Sequence, residues 1–314
     1  MIYNKFYVDK RPYICVGFSI GSICNYSCSY CFVKNEYYGS HSFVKYEPFF
    51  NFIKKLKKKY PDKKIDVTLI GGEPTIWGDF ENFIRECKIQ GISIRLISNG
   101  SRSLKWWDSI LDMIDYLIIS YHTEYANEEH ITELMKLVVN KRIISQISFM
   151  MQPENFFENV ELAKRISKNA KCFILLKFLR EVLTSDLFDY TEDQLKYLVK
   201  NRAIGVKYLE NDRYDVKIYS ESDEGIVKHN NVNEVVFKKI NRWKGWECTA
   251  GIDNFCIDYN QNLFVCNLTD QEDALIGNIE DDDYELPDKP FICKKEECTC
   301  LQDILECNKK RIIT

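Results

Sequence analysis

Apolar and polar residues alternate along the first two hundred residues in two rhythms. Short runs rich in β-branched and aromatic residues predict strands, and the longer segments between them repeat apolar residues every three or four positions, which predicts helices with one buried face. The predicted strands are Ile14–Ile20, Ile65–Ile70, Ile92–Ser98, Tyr116–Tyr121, Ile143–Met151 and Cys172–Phe178. The predicted helices are Glu47–Tyr60, Phe80–Gln90, Leu104–Asp112, Asn127–Val139, Phe156–Lys168 and Thr191–Lys200.

This order of strands and helices predicts an α/β fold built on a parallel sheet, because parallel neighbours need crossover connections and each connection here holds a helix. Six strand–helix units are too few to close an eight-stranded barrel, so we expect an open, partial barrel. Ligands of such folds bind at the carboxyl ends of the strands. Polar segments follow the first four predicted strands, at Cys24–Cys31, Gly71–Pro74, Ser98–Gly100 and Ser120–His122.

The pattern changes after the sixth strand. We predict a core of residues 1–203 and a connector of short strands at 204–245, which includes Val206–Leu209 and Tyr214–Tyr219. Residues 246–314 are predicted to form a small cysteine-rich domain. The chain has 13 cysteines in 314 residues, clustered in two places, which favours metal sites in a reducing compartment over a disulfide framework.

Charge and hydropathy exclude some classes of partner. No signal peptide or apolar run of spanning length is present, so a cytoplasmic protein without a membrane partner is predicted. The net charge of −4 argues against a protein that binds nucleic acid by electrostatics alone. The basic run Lys54–Lys59 is interpreted as the solvated face of a helix.

Cys24, Cys28 and Cys31 follow the first predicted strand with C-x3-C-x2-C spacing. Three thiolates this close can bind three corners of a [4Fe–4S] cube and leave the fourth iron open, which favours catalysis over electron storage. The alternative is a zinc site with His41 as the fourth ligand. Zinc motifs generally contain paired C-x2-C knuckles, so iron–sulfur is the preferred interpretation.

The cysteine spacing, the aromatic Tyr30 before the third cysteine and the motif Gly71–Pro74 resemble the radical S-adenosylmethionine (SAM) superfamily. The resemblance implies that SAM binds the open iron and is cleaved reductively to a 5′-deoxyadenosyl radical, with a flavodoxin- or ferredoxin-type protein as electron donor. It also implies cofactor-binding roles, firmer for the first three of these residues than for the rest: Gly71, Gly72, Glu73, Ser98, Asn99 and Ser120.

The C-terminal cysteines resemble the auxiliary-cluster modules called Twitch and SPASM. Cys248 precedes a predicted hairpin with Gln261-Asn262 at its turn, and Cys266 ends that hairpin. The cysteine order of a full SPASM module is absent, so the resemblance implies one auxiliary [4Fe–4S] cluster. Cys248 and Cys266 are its firmest ligands, and a zinc ribbon is the alternative. Two further ligands are expected from Cys293, Cys298 and Cys300. The remaining cysteines are expected to be buried apolar residues: Cys15, Cys87, Cys172, Cys256 and Cys307.

Relatives with one auxiliary cluster include enzymes that oxidise or epimerise sugars and cyclitols. The resemblance therefore implies a small polar substrate and an oxidoreductase or epimerase. We predict that His122 accepts a substrate proton and that Tyr121 and Glu124 contact the substrate. Lys177 and Arg180 are interpreted as solvated charges, with binding of the SAM carboxylate or a substrate anion as the alternative.

Two other functions stay open. One is a maturase that modifies a ribosomally made peptide; the short segment before the first predicted strand argues against it, because it leaves no room for a leader-peptide module. The other, of a different class, is a non-catalytic iron–sulfur electron carrier. A carrier would need neither the glycine motif nor an open iron.

Overall fold

The structure, a computed structural model, describes residues 2–9, 13–31, 42–180, 186–205, 217–229, 232–267, 274–281 and 283–312. The chain forms two compact units. The first, here called the terminal unit, contains Met1–Ser19, Val44–Val67 and Asp212–Thr314. The second, the central unit, contains Ile20–Phe43 and Thr68–Asn211.

The strands and helices are numbered in chain order. The helices are α1 (Glu47–Lys59), α2 (Phe80–Ile89), α3 (Leu104–Ile110), α4 (Glu128–Asn140), α5 (Phe156–Ala170), α6 (Glu192–Lys200), α7 (Val232–Phe237) and α8 (Leu301–Glu306), with 3₁₀ turns at Pro74–Ile76 and Leu111–Met113. The strands are β1 (Tyr3–Val8), β2 (Tyr13–Ser19), β3 (Lys64–Ile70), β4 (Ser93–Ser98), β5 (Tyr116–Tyr121), β6 (Ile144–Met151), β7 (Ile174–Phe178), β8 (Ala203–Ile204), β9 (Ile218–Ser222), β10 (Gly225–His229), β11 (Glu247–Cys248), β12 (Asn254–Ile257), β13 (Asn262–Phe264), β14 (Leu275–Asn278), β15 (Phe291–Ile292) and β16 (Lys309–Lys310).

The central unit confirms the predicted α/β fold with an open parallel sheet. Its strands follow the order β3–β4–β5–β6–β7–β8, and β3 contributes its last three residues, 68–70, to this unit. The pairs from β4 to β7 are parallel, for example with Ile97 beside Ile118 and Ile119 beside Ile147, whereas β8 is antiparallel to β7. A helix lies in each connection, so the carboxyl ends of the parallel strands meet at one edge.

Helix boundaries in the central unit follow the capping residues. Asn127 and Thr191 accept backbone hydrogen bonds from His130 and Gln194, so each is the N-cap and not the first helical residue. Thr191 and Gln194 form a reciprocal capping box. The predicted apolar stripe of α4 is buried along its whole length: Ile131, Leu134, Met135 and Val138.

The terminal unit contains two groups of strands. One is a six-stranded sheet with the order β10–β9–β1–β16–β11–β15, whose neighbours are antiparallel. In the other, β12 runs parallel to β2 and forms a hairpin with β13, which also pairs with β14. At the hairpin turn, Gln261 has the left-handed conformation, with φ of 64°.

Helix α1 packs its apolar face into the terminal unit, and two lysines of its basic face contact protein. The Lys55 ammonium lies 3.9 Å from the centre of the Tyr284 ring, and Lys59 pairs with Asp288 at 2.5 Å. Two lysines of the basic run thus have partners within the protein, and a nucleic acid is not needed to explain them.

The predicted connector lies partly outside the described residues, which exclude Val206–Leu209 and the first half of Tyr214–Tyr219. The described part of it contains β9, which pairs with β1 and β10. The division at residues 203 and 245 stays a prediction. No helix in the described ranges combines the length and the apolar character that crossing a membrane requires.

Candidate active site

The three cysteines of the first motif lie on residues 20–31, here called the cysteine loop, at the start of the central unit. Cys24 is exposed, Cys28 is buried and Cys31 is half-buried, and the Cys31 amide donates to the Cys28 carbonyl at 3.1 Å. Burial raises the pKa of Cys24, and it raises that of Cys28 to about 11. Metal-free thiols at these two positions are therefore protonated at neutral pH, and metal binding must displace their protons.

The backbone of Gly72 and Glu73 bonds directly to the cysteine loop. The Gly72 amide donates to the Gly21 carbonyl at 2.9 Å, and the Glu73 amide donates to the Ile23 carbonyl at 2.8 Å. A Cβ on Gly71 would lie 2.5 Å from the Gly21 oxygen, and one on Gly72 would lie 2.0 Å from the Ile23 oxygen. These glycines are needed because two backbone segments approach within hydrogen-bond distance.

The Glu73 carboxylate joins the ends of β3 and β4. It is 1% exposed and accepts hydrogen bonds from the Thr75 amide (3.0 Å), the Thr75 hydroxyl (2.6 Å), the Ser98 hydroxyl (2.8 Å) and the Asn99 amide (2.6 Å). Burial raises the pKa of Glu73, and the hydrogen bonds oppose that rise. The side chain is thus committed to protein contacts that position Ser98 and Asn99.

Asn99, at the end of β4, contacts the first cysteine. Its Nδ2 donates to Asn25 Oδ1 at 2.9 Å and lies 3.9 Å from Cys24 Sγ, and the Tyr26 amide donates to the same sulfur at 3.3 Å. N–H donors of this kind favour the thiolate form of a ligand. Ser120, the remaining predicted cofactor-binding residue, is half-buried in β5.

His122 follows β5 and contacts Tyr30 of the cysteine loop. The Tyr30 hydroxyl and His122 Nδ1 share a hydrogen bond of 2.9 Å, and the two rings stack with centres 5.8 Å apart. Burial lowers the pKa of His122 to about 4, so the imidazole is neutral at pH 7. Its proton-accepting role stays a prediction. Tyr121 is 2% exposed and stacks on Phe149 at 4.5 Å, inside the core.

The residues present fit a [4Fe–4S] cluster. Three soft thiol donors lie on one loop, at least one of their sulfurs accepts backbone and amide N–H groups, and Cys24 is accessible. No group of three cysteine, histidine, aspartate or glutamate side chains within the described ranges is arranged to hold one metal ion, so metal binding must draw the thiols together. His41, the zinc alternative's fourth ligand, lies outside the described residues.

Lys177, on β7, is half-buried beside two other cations. The sequence predicts a solvated charge here, whereas the structure shows a side chain that is only partly exposed. Burial and the charges of Arg202 and Arg180 lower the pKa of Lys177 to about 7. The three cations make this part of the central unit attractive to an anion.

We expect Lys177→Met to stabilise the metal-free protein more at pH 6 than at pH 9. The folded state releases the Lys177 proton near pH 7, and the unfolded state releases it near pH 10.4. The free energy of unfolding therefore rises with pH between these two values. The charged lysine destabilises the folded state most below pH 7, which is where its removal stabilises most. Thermal unfolding should show a gain of about 2–4 °C at pH 6 and a smaller one at pH 9. The exposed Lys168→Met is the control, and an equal gain at both pH values would contradict the prediction.

The second cysteine group lies in the terminal unit, and the structure adds Cys307 to it. Cys248, in β11, receives a hydrogen bond from the Cys307 thiol, which lowers the pKa of Cys248 and raises that of Cys307. Both thiols are buried in one apolar cluster that also contains Cys266 and Cys256. Cys307 is buried among apolar residues, as the sequence predicts, and its contact with Cys248 is one that the cysteine spacing does not indicate.

The other predicted auxiliary ligands are more dispersed. Cys293 exchanges two backbone hydrogen bonds with Gly245 and Trp246, next to β11. Cys298 packs in a different apolar cluster, which includes Phe6 and Trp243. Cys300 accepts a hydrogen bond from Asn267 at 3.0 Å.

Lys309 is a buried cation beside Cys248 and Cys307. It is 2% exposed, and its ammonium donates to the Asp303 and Cys307 carbonyls at 2.6 and 2.7 Å, near the end of α8. Burial lowers the pKa of Lys309, but the neighbouring negative groups outweigh burial and raise it. A positive charge at this place compensates thiolates.

Solved structures with the same fold include SuiB. The chain is 14% identical to SuiB from Streptococcus suis, and the two superpose with a TM-score of 0.55. The alignment covers 88% of this chain and 66% of SuiB. For SuiB bound to S-adenosylmethionine the identity is 13%, the coverage 88% and 64%, and the TM-score 0.55. BtrN in complex with AdoMet and 2-DOIA is 10% identical, with coverage of 85% and 78% and a TM-score of 0.42.

At these identities the likeness to SuiB concerns the fold alone, and the chain spans just under two thirds of the length of SuiB. No curated protein matches the sequence significantly. The family model described as Radical SAM superfamily matches residues 18–181, the segment that contains the cysteine loop and strands β3 to β7. Because this match covers more than half of the 314 residues, the chain belongs to the radical SAM superfamily.

Proposed function

We propose that this radical SAM enzyme binds a [4Fe–4S] cluster through Cys24, Cys28 and Cys31 and cleaves SAM to remove hydrogen from a small polar substrate. The observation that carries the proposal is the attachment of the cysteine loop to the ends of β3, β4 and β5. When bound, the cluster supplies an open iron for SAM and the electron that cleaves it.

The chain's own residues hold this site in place. The Gly72 and Glu73 amides fix residues 21–23 against the end of β3. Asn99 and the Tyr26 amide donate to Cys24, which favours its thiolate. His122, neutral and bonded to Tyr30, closes the side of the loop near β5.

We further propose one auxiliary [4Fe–4S] cluster in the terminal unit, of the Twitch kind. Cys248 and Cys266 are its expected ligands, and the contact between Cys248 and Cys307 supports Cys307 as a third. The buried charge of Lys309 supports an anionic group at this place. Such a cluster would accept the electron left on the substrate after hydrogen removal.

The substrate we favour is a sugar or cyclitol alcohol, which is oxidised or epimerised with electrons supplied through a flavodoxin- or ferredoxin-type protein. A peptide is the second candidate, because SuiB, which shares the fold, has been solved with its precursor peptide SuiA. Oxidation and epimerisation differ in the origin of hydrogen on the product. Product formed in heavy water should retain solvent deuterium on the reacting carbon only after epimerisation.

The protein reconstituted anaerobically with iron and sulfide should produce 5′-deoxyadenosine from SAM when dithionite is present. Product measured by chromatography should fall to background when the reductant is left out, because cleavage needs the electron. A protein that holds iron but makes no 5′-deoxyadenosine would instead be an electron carrier. Zinc at the three cysteines in anaerobically purified protein would also contradict the proposal.

A further inference from the structure

The loop between β5 and α4, residues 122–127, contacts the cysteine loop at several points. The Ser29 amide donates to Glu124 Oε2 at 2.8 Å, and the Ser29 hydroxyl donates to Oε1 of the same carboxylate. The Tyr125 hydroxyl donates to the Ser27 carbonyl at 3.1 Å. One residue of the β5–α4 loop thus accepts two hydrogen bonds from the segment between Cys28 and Cys31.

Glu124 has a fixed position although it is exposed. Gln152, just past β6, donates from Nε2 to Glu124 Oε1 at 2.8 Å, and its Oε1 accepts from the Thr123 hydroxyl at 2.5 Å. The Tyr125 ring stacks on the Tyr26 ring with centres 5.0 Å apart. The β5–α4 loop therefore links the cysteine loop to a strand end that the glycine motif does not reach.

The charge of Glu124 cannot explain its place beside the cysteines. A negative charge beside the cysteines opposes the formation of the thiolates that metal binding needs. A carboxylate here is useful for the hydrogen bonds that it accepts, because hydrogen bonds to an ionised acceptor are stronger than those to a neutral one.

We propose that Glu124 and Tyr125 are positioning residues that hold the backbone of residues 27–31 in place before iron arrives, so that only the thiols must move to bind it, and that slow the loss of iron afterwards. The inference rests on the proposed iron–sulfur function of the three cysteines. Ordering a loop before binding removes part of the conformational entropy that binding must otherwise overcome. This positioning role of Glu124 differs from the contact with substrate that the sequence predicts.

The test is Glu124→Gln in the full chain, with Glu128→Gln as the matched control. Glu128 lies four residues on and pairs with Arg165 at the surface, so the control makes the same change of charge away from the cysteine loop. In the metal-free protein, amides of residues 27–31 should exchange hydrogen about tenfold faster in Glu124→Gln, which corresponds to about 1.4 kcal/mol. After reconstitution, a ferrous-iron chelator should remove iron about tenfold faster, and neither rate should change in Glu128→Gln.

The sign of the effect separates positioning from charge. If Glu124 acted through its charge, its removal would favour the thiolates and iron would be lost more slowly; that result, or unchanged exchange, would overturn the proposal. Tyr125→Phe should give a smaller acceleration of exchange, since the ring stack remains. Ser29→Ala should add little to Glu124→Gln, because the two side chains share one hydrogen bond. If the wild-type protein binds no iron, the proposed function fails, whereas exchange in the metal-free protein still tests the positioning role.

Discussion

Gly72→Ala should abolish iron–sulfur loading at the cysteine loop and lower 5′-deoxyadenosine formation by more than about 100-fold. The new Cβ would lie 2.0 Å from the Ile23 oxygen and 2.4 Å from the Ile23 carbonyl carbon, where ordinary contact begins at 3.4 Å. Both neighbours are backbone, so the two segments must separate by more than 1 Å, and a misplacement of that size costs a reaction about 100-fold. Separation would also break the Gly72 and Glu73 hydrogen bonds to the cysteine loop.

Gly78→Ala is the control for this substitution. Gly78 lies six residues further on, is exposed, and has open space where its Cβ would be. Iron content, visible absorbance and 5′-deoxyadenosine should match the wild type in Gly78→Ala. Full iron loading and activity in Gly72→Ala would show that the glycine motif does not position the cysteine loop.

The sequence predicted the central unit well because each of its elements obeys a local rule. β5 begins and ends at the predicted residues, Tyr116 and Tyr121, and the helices start within one residue of the positions that the apolar pattern indicated. Where a helix start differs, at Asn127 and Thr191, the residue is an N-cap: it lies just outside the helix, and its side chain accepts a hydrogen bond from a backbone amide of the first turn. Periodicity and capping depend on residues a few positions apart, so they can be recognised in the sequence without knowledge of the fold.

The terminal unit was harder to predict because its strands are stabilised by distant partners. β1, near the start of the chain, pairs with β9 and with β16, which both lie in the last third of the sequence. β11, β15 and β16 contain two residues each, too few for alternation to be visible. The contact between Cys248 and Cys307 depends on these short strands, which explains why spacing did not reveal it.

At the candidate site, the motif residues were predictable and their contacts were not. The Gly71–Gly72 pair and the three cysteines can be recognised as motifs in the sequence, and the predicted strand order places the two motifs close together. That the Glu73 carboxylate accepts four hydrogen bonds within the protein, or that His122 is buried and neutral, depends on side-chain packing. Both facts alter the chemistry open to these residues, since a committed carboxylate and a weakly basic imidazole are poor proton acceptors.

Cys307→Ala should lower the iron content of the reconstituted protein from about eight atoms per chain to about four, the amount of one [4Fe–4S] cluster. The Cys307 thiol already contacts the Cys248 thiol, and the charge of Lys309 beside them stabilises the anionic form that a ligand needs. Loss of one thiolate from a buried four-iron site removes a ligand that water replaces poorly. Iron and sulfide analysis measures the loss, and electron paramagnetic resonance of the reduced protein should show one cluster signal in place of two.

Cys87→Ala is the matched control, since Cys87 is also fully buried but lies in α2 of the central unit. It should keep about eight iron atoms, and both variants should retain wild-type far-ultraviolet circular dichroism. SAM cleavage should persist in Cys307→Ala, because the cysteine loop belongs to the other unit, while oxidation of the substrate should stop for want of an electron acceptor. If Cys307→Ala kept eight iron atoms, Cys307 would be a buried apolar residue and not a ligand. If the wild type held only four, the protein would have no auxiliary cluster.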